Sequence, residues 1–276
     1  MNLIGAKIQT LRKNKNLTQA QLAEVLSVSS QSVSKWENNL SVPDISLLPV
    51  IARYFGITMD ELFNYRLDAL NYKERFIRFM ADNGVLQFGE FILQSGRNSP
   101  YFINTANYKS ASQIFKLGEF YAECMRENNV ESNLLVSDTC WETPLMIATG
   151  IVLFNRYGID INYNIDDMVG KRFDAKDRIT WIKDTLTSGE TLKADLGRLQ
   201  RDKGQGISHI IVSVDRMERS NTSAMSAKRE IEKEFDVQIH SIVTLDDIIR
   251  AVEKGIVGSS EYLASLKKYR DNYIGD

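Results

Sequence analysis

Histidine and cysteine are both scarce in this 276-residue chain, at two of each. Cys124 and Cys140 stand in unrelated contexts, so they supply neither a disulfide framework nor a zinc site, and both thiols are expected to be structural. His209 and His240 each sit inside an apolar run, "ISHIIVSV" and "VQIHSIVTL", where a histidine is expected to fill a sheet. With so few such ligands, metal-centred and histidine-dependent hydrolytic mechanisms largely drop away, and neither a metal nor a cofactor is expected. No apolar run approaches the roughly 18 residues a membrane span needs. The opening "MNLIGAKIQTLRKNKN" has no signal-peptide core, so the cytoplasm is the expected compartment. A basic tail is also missing, and the net charge is −2. Any nucleic acid must therefore be met by a local surface rather than a global field.

What is present divides in two. Leu3, Ile4, Ile8 and Leu11 recur at helical spacing. Thr18 then stands as an N-cap with Gln21 at its third position, a capping box, and Leu22, Ala23 and Leu26 form one apolar face. After the break Ser27-Val28-Ser29 a further helix begins near Ser30, with Val33 and Trp36 inward and Gln31, Ser34 and Lys35 outward. Two short helices across a three-residue turn make a helix-turn-helix. The run "LTQAQLAEVLSVSSQSVSKWENN" with "PDISLLPVIARYFGITMDELF" resembles the Cro/repressor-type (XRE) DNA-binding domain, with Ser27 where that family usually has glycine. The resemblance implies an all-α domain over residues 1–64 whose third helix enters the major groove of double-stranded DNA. Ser30, Gln31 and Lys35, with Ser34 nearby, would read bases, while Gln19 and Asn38 would contact phosphates. Such domains act in pairs about one DNA turn apart, so a homodimer is implied.

Residues 65–72 are expected to be a short, partly helical linker. From "YKERFIRFMADNG" onward, apolar strands alternate with amphipathic helices. "NLLVSD", "DINYNI", "RITWIKD", "ISHIIVSVD" and "VQIHSIVTL" read as strands, and "TPLMIATGIVLFNRYG", "GETLKADLGRLQRDKG", "SAMSAKREIEKEFD" and "LDDIIRAVEKG" as helices. That alternation predicts an α/β domain with a mostly parallel sheet over 73–276. Ligands in such sheets sit beyond the carboxyl ends of the strands, where "KDTLTSGET" falls.

"GVLQFGEFILQSGRNSPYFIN", "VSVDRMERSNTSAMSAKREIEKEFDVQIHSIVTLDDII" and "YLASLKKYRDNY" together resemble orotate phosphoribosyltransferases, type I members of their superfamily. The resemblance implies a substrate segment including Ser95, Gly96, Arg97 and Phe102, with Gln94 in place of a lysine. It implies a 5′-phosphate loop of Thr187, Ser188, Gly189, Glu190 and Thr191, in which an inward Glu190 would repel phosphate. Arg219 would hold a pyrimidine carboxylate, and Asp184 is the retained member of an acidic pair whose other member is Lys183.

The departures gather where pyrophosphate would leave. "SDTCWE" lacks the glycines and lysine of the family's turn, and "DDMVGKRFDAKDR" is short for its mobile loop. From these, the sequence suggests a pocket that binds without reacting: not an enzyme, but a sensor coupled to a DNA-binding head. The implied effectors are orotate, orotidine 5′-phosphate, uridine 5′-phosphate or phosphoribosyl pyrophosphate. Two alternatives stand beside it: an active orotate phosphoribosyltransferase that also binds DNA, and an antitoxin-like or phage-defence repressor with a protein partner.

Overall fold

A computed structural model describes residues 4–57, 59–63, 70–93, 96–137, 139–166, 168–203 and 206–275. The chain forms two compact units, residues 1–70 and 71–276. Residues 65–69 of the anticipated linker lie outside the described residues, as do Asn64, Gln94, Ser95, Asp138 and Asp167. Among the described residues, no helix is long and apolar enough to cross a membrane.

The first unit is all helical: α1 (Ile4–Asn14), α2 (Gln19–Val25), α3 (Ser30–Glu37), α4 (Leu48–Phe55) and α5 (Met59–Leu62). Their apolar stripes meet in one core containing Ile8, Leu22, Val33, Trp36, Ile51 and Leu62. The Thr18 side chain accepts from the Gln21 backbone N–H while the Gln21 side chain accepts from that of Thr18, fixing the start of α2. Ser27 takes a left-handed φ of 54°, the turn conformation that glycine would adopt at less cost. Ser29 then caps α3 through the Ser32 N–H. Gly5 brings α1 against the end of α3; a Cβ there would lie 1.9 Å from the Trp36 carbonyl oxygen.

The second unit opens with α6 (Tyr72–Asp82) and an antiparallel hairpin of β1 (Leu86–Ile92) and β2 (Asn98–Ile103). It continues through α7 (Ala111–Glu127), β3 (Leu134–Ser137), α8 (Thr143–Tyr157), β4 (Asn162–Ile165), β5 (Val169–Gly170), β6 (Ile179–Ile182), β7 (Thr185–Leu186) and α9 (Glu190–Lys203). β8 (His209–Asp215), α10 (Ala227–Phe235), β9 (Gln238–Thr244), α11 (Leu245–Glu253) and α12 (Leu263–Tyr273) complete it.

Across the main sheet the order is β5, β4, β3, β6 with its continuation β7, β8, β9, parallel except at the β5 edge. Side chains alternate between faces along each strand. Ile182 and Ile211 therefore join the core with α7, α8 and α11, whereas Trp181, Ile210 and Val212 join the core with α9 and α10. His209 and His240 occupy neighbouring strands, with Nδ1 of one 3.3 Å from Nε2 of the other. Cys124 is buried as expected of a structural thiol; Cys140 is exposed in the loop after β3, which corrects that expectation for the second cysteine.

A buried polar knot ties the hairpin, the end of β8 and α12 together. Glu218 accepts from Arg97, from Arg216 Nε at 2.7 Å and from the Tyr269 hydroxyl at 2.5 Å. Arg216 also donates to Ser99 Oγ and to Tyr269 Oη, both at 2.9 Å, and its guanidinium lies 4.1 Å from the Tyr101 ring centre. Removing one partner of such a pair leaves an uncompensated charge. Glu218→Gln should therefore lower the unfolding free energy of the chain by about 3–5 kcal/mol. Equilibrium urea denaturation followed by circular dichroism measures this, and a loss below about 1 kcal/mol would mean the knot carries no such weight.

Candidate nucleic-acid interface and phosphoribosyl crevice

Ser30, Gln31, Ser34, Lys35 and Asn38 follow one another along the outer side of α3, opposite the buried Val33, Trp36 and Glu37. Gln31 and Lys35 are exposed, and both side chains can reach base edges. Asn38 closes the helix by donating to the Ser34 carbonyl at 2.9 Å. Gln19, at the start of α2, donates its side-chain amide to Glu37 at 2.9 Å. Arg12 grips the same carboxylate with Nε at 2.6 Å and a second nitrogen at 2.8 Å. Burial alone would push Glu37 up; the Arg12 and Gln19 hydrogen bonds overrule it and hold the carboxyl below its ordinary value. Gln19 thus braces α2 against α3, a role invisible in sequence because its partner lies a whole helix away.

In the second unit the chain leaves β3 toward β4 on one side and returns to β6 on the other. The carboxyl ends of β3 and β6 therefore flank a topological switch point, the place where open α/β sheets bind ligands. The loop from Thr139 to Glu142 approaches from β3, and Lys183 to Gly189 from β6 and β7. Asp184 accepts from Thr105 Oγ1 at 2.9 Å and lies within reach of Thr185 and Ser213 hydroxyls. Its burial pushes the carboxyl up, against the downward pull of those hydroxyls and Lys183. Tyr121 donates to the Lys183 carbonyl at 2.7 Å, anchoring the break between β6 and β7.

Thr187, Ser188 and Gly189 form the turn into α9, whose first N–H groups can bind an anion. Gly189 has a φ of 79°, the left-handed region that favours glycine, and a Cβ there would press on the tip of Ile231 at 2.8 Å. Glu190 and Thr191 are exposed in the first turn of α9.

The remaining anticipated ligand residues gather at the hairpin and the loop after β8. Gly96 turns the hairpin with a φ of 77°, while Phe102 stacks on Phe91 with ring centres 5.5 Å apart. Arg97 joins the Glu218 knot, donates to Asn221 at 3.0 Å and lies over the Tyr273 ring. Arg219 is exposed and donates to the Asn272 carbonyl. A cleft of about 850 Å³ separates the hairpin from α12, lined in part by Phe91, Ser99, Tyr262, Tyr269 and Tyr273.

The loop carrying Arg219 is fastened by Glu230 of α10. Lys193 pairs with it, and Thr222 and Ser223 donate to it at 2.7 and 2.8 Å. Among the described residues, no group of three or more histidine, cysteine or carboxylate side chains is arranged to hold a metal ion.

Fold and crevice define a phosphoribosyltransferase-type α/β domain behind a helix-turn-helix head. Residues 8–62 match the helix-turn-helix family. The orotate phosphoribosyltransferase of Clostridium beijerinckii is 33% identical over 215 residues, spanning 73% of this chain and 96% of the relative. That of Colwellia psychrerythraea is 30% identical over 221 residues, spanning 74% and 98%. The crystal structure of the Francisella tularensis orotate phosphoribosyltransferase superposes with a TM-score of 0.64 at 27% identity, over 73% of this chain and 100% of that one. The chain belongs to the orotate phosphoribosyltransferase family, with an XRE-type helix-turn-helix domain fused to it.

That membership overturns the expectation of a non-enzyme. The kinship runs through nearly the whole length of relatives that are orotate phosphoribosyltransferases, which points to an enzyme. The expectation counts each departure from the family motifs as a separate loss. In the fold two of the residues at departing positions, Lys183 and Glu142, stand 3.3 Å apart as an ion pair.

Gln31→Ala should weaken binding to the preferred operator by about 1–3 kcal/mol and relax base preference at one position. Fluorescence anisotropy on a panel of single-base operator variants measures this; an unchanged profile would displace α3 from the groove.

The Lys193 pairing, aided by Ser220, Thr222 and Ser223, holds the Glu230 carboxyl down at about 2 against an ordinary 4.5. A depressed folded value stabilises the fold above the unfolded value and is lost as pH falls through the folded one. Glu230→Gln should therefore be less stable than the parent at neutral pH, with the gap closing between pH 4.5 and about 2. Urea midpoints across that range would refute the assignment if the gap stayed constant.

Proposed function

We propose that this protein is a DNA-binding transcriptional regulator whose orotate phosphoribosyltransferase-family domain both carries out phosphoribosyl transfer and senses its own ligands. The observation that carries the reading is the union, in one chain, of an exposed base-reading helix face with a domain kin to orotate phosphoribosyltransferases over nearly their full length. The ligands are phosphoribosyl pyrophosphate, orotate, orotidine 5′-phosphate or uridine 5′-phosphate. Thr187, Ser188, Gly189 and Thr191 would receive the 5′-phosphate, Asp184 the ribose, and Arg219 with Arg97, Gly96 and Phe102 the pyrimidine end. Ser95 belongs to this set by sequence. Glu190 is exposed in the first turn of α9.

On the DNA side, Ser30, Gln31, Ser34 and Lys35 would read bases, and Gln19 and Asn38 would meet the backbone. The protein acts in the cytoplasm as a homodimer, because two recognition helices must sit roughly 34 Å apart to read successive major grooves. Support for a second copy comes from an apolar edge of the sheet, where Ile151 and Phe154 of α8, Tyr163 of β4 and Val169 of β5 are all exposed. A ligand alters DNA affinity only by binding two arrangements of that dimer unequally.

Titrating the purified full-length protein with each ligand while following operator binding by anisotropy should shift the dissociation constant about 5–150-fold for at least one of them. A parallel spectrophotometric assay with orotate and the magnesium salt of phosphoribosyl pyrophosphate should show orotate consumption. Identical operator affinity with every ligand at saturation would remove the sensing role, and absence of orotate consumption would remove the transferase role.

A further inference from the structure

We propose that Lys183 is the residue that receives the phosphate-type anion of the ligand, and that Glu142 is an internal anion occupying it until the ligand arrives. The inference rests on the phosphoribosyl-ligand reading above and names the group within that crevice on which binding turns.

The Lys183 side chain is only 13% exposed, at the carboxyl end of β6. Its ammonium lies 3.3 Å from Glu142 Oε2, 3.8 Å from Asp195 Oδ2 and 4.6 Å from the centre of the Trp181 ring. Glu142 comes from the other side of the crevice, in the loop after β3, where Thr139 Oγ1 donates to the same Oε2 at 2.8 Å. The pair thus spans the switch point itself: one charge from β3, the other from β6. An anionic group seated between these strand ends would lie close to this ammonium.

The exchange is energetically reasonable. An ion pair this far from water gains little net stability, because desolvation offsets most of its attraction. Replacing a carboxylate by a phosphate or pyrophosphate brings more negative charge and more acceptor oxygens to the same ammonium. The displaced Glu142 sits on the loop between β3 and α8, next to exposed Trp141, and can turn outward to water. Asp195, 3.8 Å from the ammonium, stays beside Lys183 when Glu142 leaves. A bare repulsive Glu142 would also disfavour phosphate, but it would do so whether or not Lys183 were present, and this separates the two accounts.

Isothermal titration of the full-length protein with inorganic pyrophosphate, and in a second arm with orotate, tests the proposal. Glu142→Gln keeps size and hydrogen bonding while removing the competing charge, and should tighten pyrophosphate about tenfold. Lys183→Met should weaken it by about tenfold or more. In the Lys183→Met background, Glu142→Gln should add nothing, because its effect passes through the lysine. Equal tightening in both backgrounds would overturn the proposal in favour of plain repulsion. Tightening of orotate but not of pyrophosphate would overturn the assignment to a phosphate-type anion. If the parent binds phosphoribosyl pyrophosphate and neither single variant changes pyrophosphate affinity, the inference falls while the functional reading stands. If the parent and the Glu142→Gln variant bind neither compound, both fall.

Discussion

A carboxylate with almost no access to water holds the working loops of the second unit in register. Glu218 is reached by Arg97 from the hairpin, by Arg216 from the end of β8 and by Tyr269 from α12. None of the three segments could hold its position alone. The hairpin has only two strands, which in isolation are marginal in water, and the loop after β8 is irregular. Arg216 brings a second positive charge into the knot, and it is accommodated by the faces of Tyr101 and Tyr269 and by the Ser99 hydroxyl. Arg219 leaves this knot with its backbone N–H bonded to the Tyr273 carbonyl at 2.8 Å, so the side chain starts from a fixed point.

The second constraint is the break in the strand that β6 begins and β7 resumes. Lys183 and Asp184 fall in it, and because successive side chains of an extended chain point to opposite faces, they serve opposite sides of one crevice. Lys183 turns toward Glu142 and α9, while Asp184 turns toward Thr105 and Ser213. The interruption keeps its backbone groups satisfied: Lys183 N–H donates to the Ile211 carbonyl at 2.9 Å and Ser213 N–H to the Asp184 carbonyl at 2.6 Å. Two residues adjacent in sequence thereby supply a cationic and an anionic group within one crevice.

Much of the fold is legible in the sequence because its signals are local. The apolar runs form β3, β4, β6, β8 and β9, and the capping box at Thr18 is present, as is the left-handed Ser27. The alternation of apolar runs does not bring out α7, although Ser110 and Gln113 form a capping box at its start, and the β1–β2 hairpin stands out only as a family landmark. Less of the site is legible. The partners of Glu218 lie up to 121 positions away, and Glu142 lies 41 positions from Lys183; no spacing rule reaches that far. Departures from a motif can be counted in sequence, but whether two of them compensate depends on their distance in space. Lys183 and Glu142 are separate departures in the sequence and one ion pair in the fold.

The recognition helix bears on how a ligand could act on DNA. α3 is fixed by the Ser29 cap, by Val33 and Trp36 in the core, and by the Arg12–Glu37–Gln19 cluster, all within the first unit. Its outward face is therefore set before any ligand binds. Remodelling that face would mean breaking a buried, bidentate arginine–carboxylate pair, a loss of about 3–5 kcal/mol against the roughly 1–3 kcal/mol of a typical allosteric coupling. Shifting the separation or angle of two preformed faces demands no such loss, and the spacing of successive major grooves punishes small errors in either. Under the proposed function, the effector's differential affinity is accordingly spent on the geometry of the dimer, not on the reading surface itself.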